Sequence, residues 1–512
     1  MNVVRTVNSP SAENEREDIW LEEKHWGHRL WDQQSPWLIF LEFLGVAESA
    51  NREGHLFDFN HSQYSSSYYA YSRIHLRNVL FNDDQFLGKV DHDNQDSAVA
   101  WRQWLSWMKD AAKGLEPDER DFSFLRNRFE RFHDFAQLVR ALRSCAVEGE
   151  TNKRWSSRFI FPFGPSALFE DLSIKPESTS REYINFGRSG ELLYHMLARS
   201  SLRESLARLL PDRVFAPNKW NDLVQQLQPA TASTATTKRG AATYLPYDVH
   251  PAFETLGEDW KALLELDLQG PDVIPHLVIT GSFGLFLYHL NTSAYLLGRD
   301  RLAPIICEVV APRRGLVREQ SIENFEINST LSLQAIDRLF NDIEALRDWT
   351  SSGQPGEILA RRREILKREF NWEDEAGVSD PEALWRRFKE EAKERHRRHF
   401  GQVHRTYGRG VGLVSKRGTN RYRYAPTDSF LRALLFANVT RRMEFGEFLA
   451  LLYARYGLIF GANEAEQVLN HEDMDKKPFQ ANSVRLEQRL SSLGLLKRLS
   501  DACAYVQNPY AE

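Results

Sequence analysis

The sequence predicts a mainly α-helical protein with small β elements, an α+β chain divided into several domains. Apolar residues recur at helical spacing through most of its 512 residues, whereas strand-like runs such as 159–163 and 304–310 are short and isolated. The last stretch, 443–510, reads as helix, short helix, helix and two short strands. With 42% apolar residues, 13 Trp and 31 Phe, the chain has the side-chain volume for a large ordered core.

Net charge is −5, so the whole molecule is not built to attract nucleic acid, and any such binding has to come from a local patch. Cys145, Cys307 and Cys503 lie far apart, without the spacing of a disulfide framework or a zinc site. That usage suits a reducing cytoplasm. The opening residues are polar and acidic, unlike a secretory leader. The apolar run 36–46 falls well short of the roughly 20 residues that span a bilayer. A cytoplasmic protein with no membrane association is expected.

Residues 1–227 read as a helical N-terminal domain. Ser35 before Pro36 marks a helix start, because a missing N–H costs nothing at the first helical position. Trp37 to Leu44 is apolar almost all round, so that helix is buried. Trp101, Trp104, Leu105 and Met108 form a stripe that belongs to a core rather than to a base-stacking platform. The loop at 186–190, Phe-Gly-Arg-Ser-Gly, precedes an apolar helix and resembles a phosphate cradle, but the Lys-Ser/Thr pair of a P-loop is absent. An ordinary helix start is expected there. Small polar residues over 228–243 predict a linker.

A mixed α/β central domain is expected over 244–350. The run 275–297 is apolar but interrupted by Gly281 and Gly284, which suits a core element approached closely by neighbours. Ser282 lies in Thr280-Gly-Ser-Phe-Gly, where the nucleophile elbow of a hydrolase needs glycine at position 280. Glu308, in the strand-like run, suggests a metal-dependent nuclease with Asp272 or Asp300, but Val310 stands where such a site needs lysine. Pairing of Glu308 with an arginine is the simpler expectation. His396, His399 and His404 lack ligand spacing and read as solvated or phosphate-facing.

The charged helical arm and basic hairpin span 351–426. Two helices with narrow apolar stripes, 356–370 and 381–400, lead into a segment from 396 to 424 with eight Lys/Arg and no acid. Within it, 412–415 and 421–424 read as hairpin strands. Arg405, Arg409, Lys416, Arg417, Arg421 and Arg423, with Tyr407, Tyr422 and Tyr424 between them, suit a phosphate backbone. The acidic run 373–375 is the competing partner.

The final domain, 427–512, carries the elements that begin at Met443. Apolar positions from Phe445 to Ile459 mark a helix that Gly461 ends, and Asn463 caps a second one. A third helix begins near Asn482 or Ser483 and buries Leu486, Leu490 and Leu493. It presents Arg485, Gln488 and Arg489, types suited to guanine, adenine and phosphate. The segments 495–499 and 503–506 pair as a wing.

This order resembles the winged-helix superfamily, which implies that the third helix enters a major groove. The overall make-up is similar in kind to uncharacterised subunits of prokaryotic multi-gene antiphage defence systems, with no site residue carried over. The expected function is a non-enzymatic DNA-binding or DNA-sensing subunit of a larger complex. Its expected partners are DNA, double-stranded by preference, and other protein subunits; no cofactor or metal is expected. The alternatives are a protein-docking scaffold and the metal-dependent nuclease.

Overall fold

The computed structural model describes residues 2–5, 19–27, 30–58, 67–71, 74–82, 84–91, 96–144, 146–147, 159–160, 171–175, 178–182, 189–229, 234–238, 244–310, 315–416, 421–469, 475–499 and 503–511. Helices dominate them, and every sheet has two or three strands. Helix α1 (Pro36–Arg52) starts as its sequence predicts, with the Ser35 hydroxyl accepting from the Leu38 amide at 3.4 Å. It is buried along nearly its whole length. Strand β1 (Ser67–Tyr71) follows, then α2 (Ile74–Phe81), α3 (Ser97–Ala111) and α4 (Phe132–Ser144). The Trp stripe of α3 meets α4 edge to face, Trp101 on Phe132 at 5.0 Å and Trp104 on Phe135 at 4.9 Å. These rings are core, as their spacing predicts.

Helix α5 (Ser189–Ala198) answers the phosphate-cradle question. The buried Glu42 carboxylate of α1 accepts from the Gly190 amide at 2.9 Å, so the protein places its own anion at that helix start. Most of the loop itself, 183–188, lies outside the described residues. Within the predicted linker, β2 (Thr234–Lys238) is a strand that pairs antiparallel with β1.

Helices α6 (Pro251–Glu265) and α7 (Gly270–Leu296) form the centre. By length and composition α7 is apolar enough to cross a membrane, yet 83% of its most apolar window is buried inside the protein. It therefore serves as a core helix. Gly281 and Gly284 within it allow close approach: a Cβ on Gly281 would lie 3.1 Å from Leu193 and Trp260, and one on Gly284 would lie 3.0 Å from Leu256.

Next come β3 (Ile305–Ile306), the long α8 (Leu316–Glu344), α9 (Pro355–Phe370), α10 (Pro381–Arg398) and α11 (Val403–Gly410). Both charged helices begin at a proline, and Asp380 caps α10 by accepting from the Ala383 amide at 2.7 Å.

Strands β4 (Val414–Ser415) and β5 (Arg423–Tyr424) form the predicted hairpin. The C-terminal unit comprises α12 (Asp428–Asn438), β6 (Met443–Glu444), α13 (Phe445–Tyr456), β7 (Leu458–Ile459), α14 (Ala462–Glu466), α15 (Lys476–Ser492), β8 (Leu496–Arg498) and β9 (Ala504–Val506). Its sheet is antiparallel in the order β6-β9-β8.

Three boundaries in this unit differ from expectation. Gly457, at φ +73°, ends α13 in place of Gly461, and residues 458–459 become a strand parallel to β3. Helix α14 is capped at Gly461 rather than Asn463. Helix α15 begins two turns before Asn482, where Asp475 accepts from the Lys477 amide at 3.0 Å.

One cluster of buried side chains runs from Ile19 to Val506, and a smaller one under α15 includes Ile306, Ile459 and Phe479. Asn482 ties α15 into this body. Its Oδ1 accepts from the Val309 amide at 2.8 Å, and its Nδ2 donates to the Cys307 and Phe460 carbonyls, both at 2.9 Å. Asn482→Ala strands these three buried groups. Thermal and denaturant melts should show a loss of about 3 kcal/mol, since each unsatisfied group costs roughly 1–3 kcal/mol; an unchanged midpoint would remove Asn482 as a structural tie.

Candidate nucleic-acid interface

The basic hairpin lies against α8 and α11. Tyr422 stacks on Phe325 at 5.5 Å and receives two cations, Lys416 Nζ at 4.8 Å and Arg405 Cζ at 5.6 Å from its ring centre. Lys416 is exposed and Arg405 half-buried. Arg421 is exposed and donates through Nε to Glu326 at 2.8 Å. Arg409 is exposed at the end of α11 and has no ion-pair partner among the described residues. Arg417 lies outside the described residues.

Arg423 is a correction. It is 2% exposed and ion-paired to Glu308, itself 2% exposed. Strand β5 is covered on both faces, so its odd and even side chains both point inward, and Tyr424 is as buried as Arg423. Tyr407 is also buried, which leaves Tyr422 as the accessible ring of the three tyrosines. The acidic run expected to compete for these cations is engaged by the arm: Asp374 takes Arg363 at 3.0 Å and Arg387 at 3.2 Å, and Glu373 takes Lys367 at 2.6 Å.

Helix α15 needs a second correction. Arg485 donates to the Val309 carbonyl at 3.3 Å. Arg489 donates to Asp428 at 2.5 Å and to the Pro426 carbonyl at 2.9 Å. Both arginines therefore brace the helix against the body, and Gln488 alone of the predicted trio stands on the exposed face. That face is neutral, with Gln480, Val484, Gln488 and Ser491 outward. The same unit exposes cations that the sequence did not single out: Lys477 at the start of α15, Lys497 and Arg498 in β8, and Arg441 and Arg442 before β6. Arg498 leans on Glu487 at 3.5 Å, and Arg442 lies 4.4 Å over the Tyr505 ring. Strand alternation offers the missed signal, because burying Leu496 turns Lys497 outward.

The enzyme alternatives gain no geometry. Glu308 is neutralised by Arg423, and no group of three or more His, Cys, Asp or Glu among the described residues is placed to hold a metal. Ser282 is buried in the middle of α7, without the strand-to-helix turn of an elbow. The histidines also differ from expectation. His396 is fully buried between Glu22 at 3.1 Å and Ser332 at 3.1 Å, and His404 faces the Tyr424 hydroxyl at 2.7 Å. His399 stacks on Trp31 and meets Asp32 at 3.0 Å. Comparison with protein families, curated proteins and solved structures finds no significant match to this chain.

Two measurements follow from the buried charges. Arg423→Met leaves Glu308 unpaired and should cost about 3–5 kcal/mol, whereas adding Glu308→Gln should restore most of it. Equal melting temperatures for the single and double variants would disprove the pairing. Burial also pushes the His25, His250 and His404 imidazoles from 6.5 down to about 3. The unfolded chain takes up those protons near pH 6.5 and the folded chain does not. Stability is therefore full above pH 6.5 and is lost as pH falls toward 3. In that window His404→Gln should flatten the slope by about 1.4 kcal/mol per pH unit, read from denaturant midpoints.

Proposed function

We propose that this protein is a DNA-binding subunit of a larger assembly whose C-terminal unit docks as a winged helix. The observation that carries the reading is topological. Helix α12, strand β6, helices α13 and α15, and the β8–β9 hairpin follow one another in winged-helix order, with β9 between β6 and β8. In that arrangement α15 is the helix that enters the major groove. Gln480 and Gln488 on its outer face suit adenine edges, while the exposed Lys477, Lys497 and Arg441 suit phosphates. Lys416 and Arg405 over Tyr422 supply a further cationic patch of the kind that grips a backbone without sequence preference.

A second reading, protein docking by the same unit, is favoured by Val484 and Leu499, which are 50% and 56% exposed there. Both readings are separable with the full chain. Anisotropy titration of a labelled duplex should show binding that weakens at least tenfold between low and physiological salt. Lys477→Glu with Lys497→Glu should weaken it on every sequence, and Gln488→Ala should change sequence preference. Absence of binding to duplex at low salt would overturn the DNA reading. Loss of a co-purifying subunit on Val484→Asp, with DNA binding intact, would favour docking.

A further inference from the structure

The basic hairpin carries a site for single-stranded DNA. We infer that Tyr422 stacks an unpaired base while Lys416 and Arg405 hold the phosphates on either side of it. The site deepens and rests on the DNA reading at the hairpin, and it uses none of the C-terminal unit.

The ring is held in advance. Phe325 of α8 is 4% exposed and stacks on Tyr422, with ring centres 5.5 Å apart and planes 26° apart. Arg421, the residue before Tyr422, donates through Nε to Glu326, the residue after Phe325, at 2.8 Å. These two contacts fix the hairpin on α8, and Tyr422 keeps part of its surface exposed. A side chain already ordered by its neighbours loses little freedom when a base lands on it.

Two cations share that ring, Lys416 Nζ at 4.8 Å and Arg405 Cζ at 5.6 Å from its centre. Neither has an ion-pair partner among the described residues. Most other cations over rings in those residues are neutralised: Lys24, Arg362, Lys389, Lys393 and Arg455 each pair with an acid. Lys416 and Arg405 are thus charge left over for a partner, set around a flat apolar surface.

An unpaired nucleotide matches both features at once, with a flat base between charged phosphates. Lys416 is exposed, so it leaves the ring for a phosphate as the base arrives. In a duplex the base faces are covered by their neighbours, and the ring would go unused. An acidic peptide would satisfy the cations and leave the ring bare.

The test is anisotropy titration of the full chain at low salt with a labelled oligothymidylate of about twelve nucleotides, within the roughly 4–16 that such grooves cover. Thymidine runs form no duplex with themselves. Tyr422→Leu and Lys416→Glu should each weaken binding at least fivefold, and Tyr422→Phe, which keeps the ring, should retain it. An abasic strand of the same length should bind at least fivefold more weakly than oligothymidylate. Lys416 is an exposed side chain, so loss of binding in its variant with an unchanged melting temperature is not unfolding. No binding of oligothymidylate at low salt would overturn the site. So would binding that survives both Tyr422→Leu and Lys416→Glu, or an abasic strand binding as tightly, which would leave a bare anion surface open to an acidic peptide. The winged-helix reading is judged separately: Lys477→Glu with Lys497→Glu should weaken duplex and leave oligothymidylate binding unchanged.

Discussion

The extended segment 304–309 is the constraint on which the rest of the structure depends. It has few neighbours in sequence, yet almost every backbone group in it is taken by a distant element. Ile305 and Cys307 donate to the carbonyls of Gly457 and Ile459, at 2.8 and 2.9 Å. Ile306 donates to Asn324 at 2.9 Å, Glu308 to the Tyr424 carbonyl at 2.9 Å, and Val309 to Asn482. Asn328 completes the set by donating to the Pro304 carbonyl at 2.9 Å. A buried strand cannot leave its donors and acceptors bare, so α8, the hairpin, β7 and α15 are all held in register by one short run. The Glu308–Arg423 pair lies in the same place and needs the same exclusion of water. Its value is positional more than energetic, because a buried pair gains little over an apolar one while a broken pair is heavily penalised.

Much of the fold was legible where local chemistry decides alone. Ser35-Pro36 and Asp380-Pro381 start helices because a cap and a proline need nothing from the rest of the chain. Gly281 and Gly284 announce close packing because no other side chain explains them in an apolar helix. Arg423 was not legible. Its burial depends on α8 and on Glu308, the latter 115 residues away in sequence, and a basic run gives no sign of which member turns inward. Helix α15 lies between these cases. At 3.6 residues per turn Arg489 falls about 60° from Leu486 and Arg485 about 100°, so both flank the apolar face rather than oppose it. Residue type suggested base contacts, and angular position on the helix argues for bracing.

The same distinction applies to charge across the molecule. Composition counts cations, but geometry decides which are available. Arg363 and Arg387 are committed to Asp374, Arg421 to Glu326, and Arg455 to Glu258 and Asp259. An exposed pair contributes little stability, yet it lowers the field a polyanion would meet. Lys477, Lys497 and Arg409 matter because they lack such partners, not because they sit in a basic run. In protein–DNA complexes generally, cations position the phosphate backbone and other side chains select the bases.

Helices α12 and α15 are tied at one helical turn. The first turn of α12 lines a cleft beside α1 and α11 through Thr427 and Ser429, and its Asp428, together with the preceding Pro426 carbonyl, receives Arg489 of α15. A single helical turn thus borders the cleft on one side and holds the arginine that braces α15 on the other. The outer face of α15 is therefore set by contacts on its inner one, made by Arg485, Arg489 and Asn482.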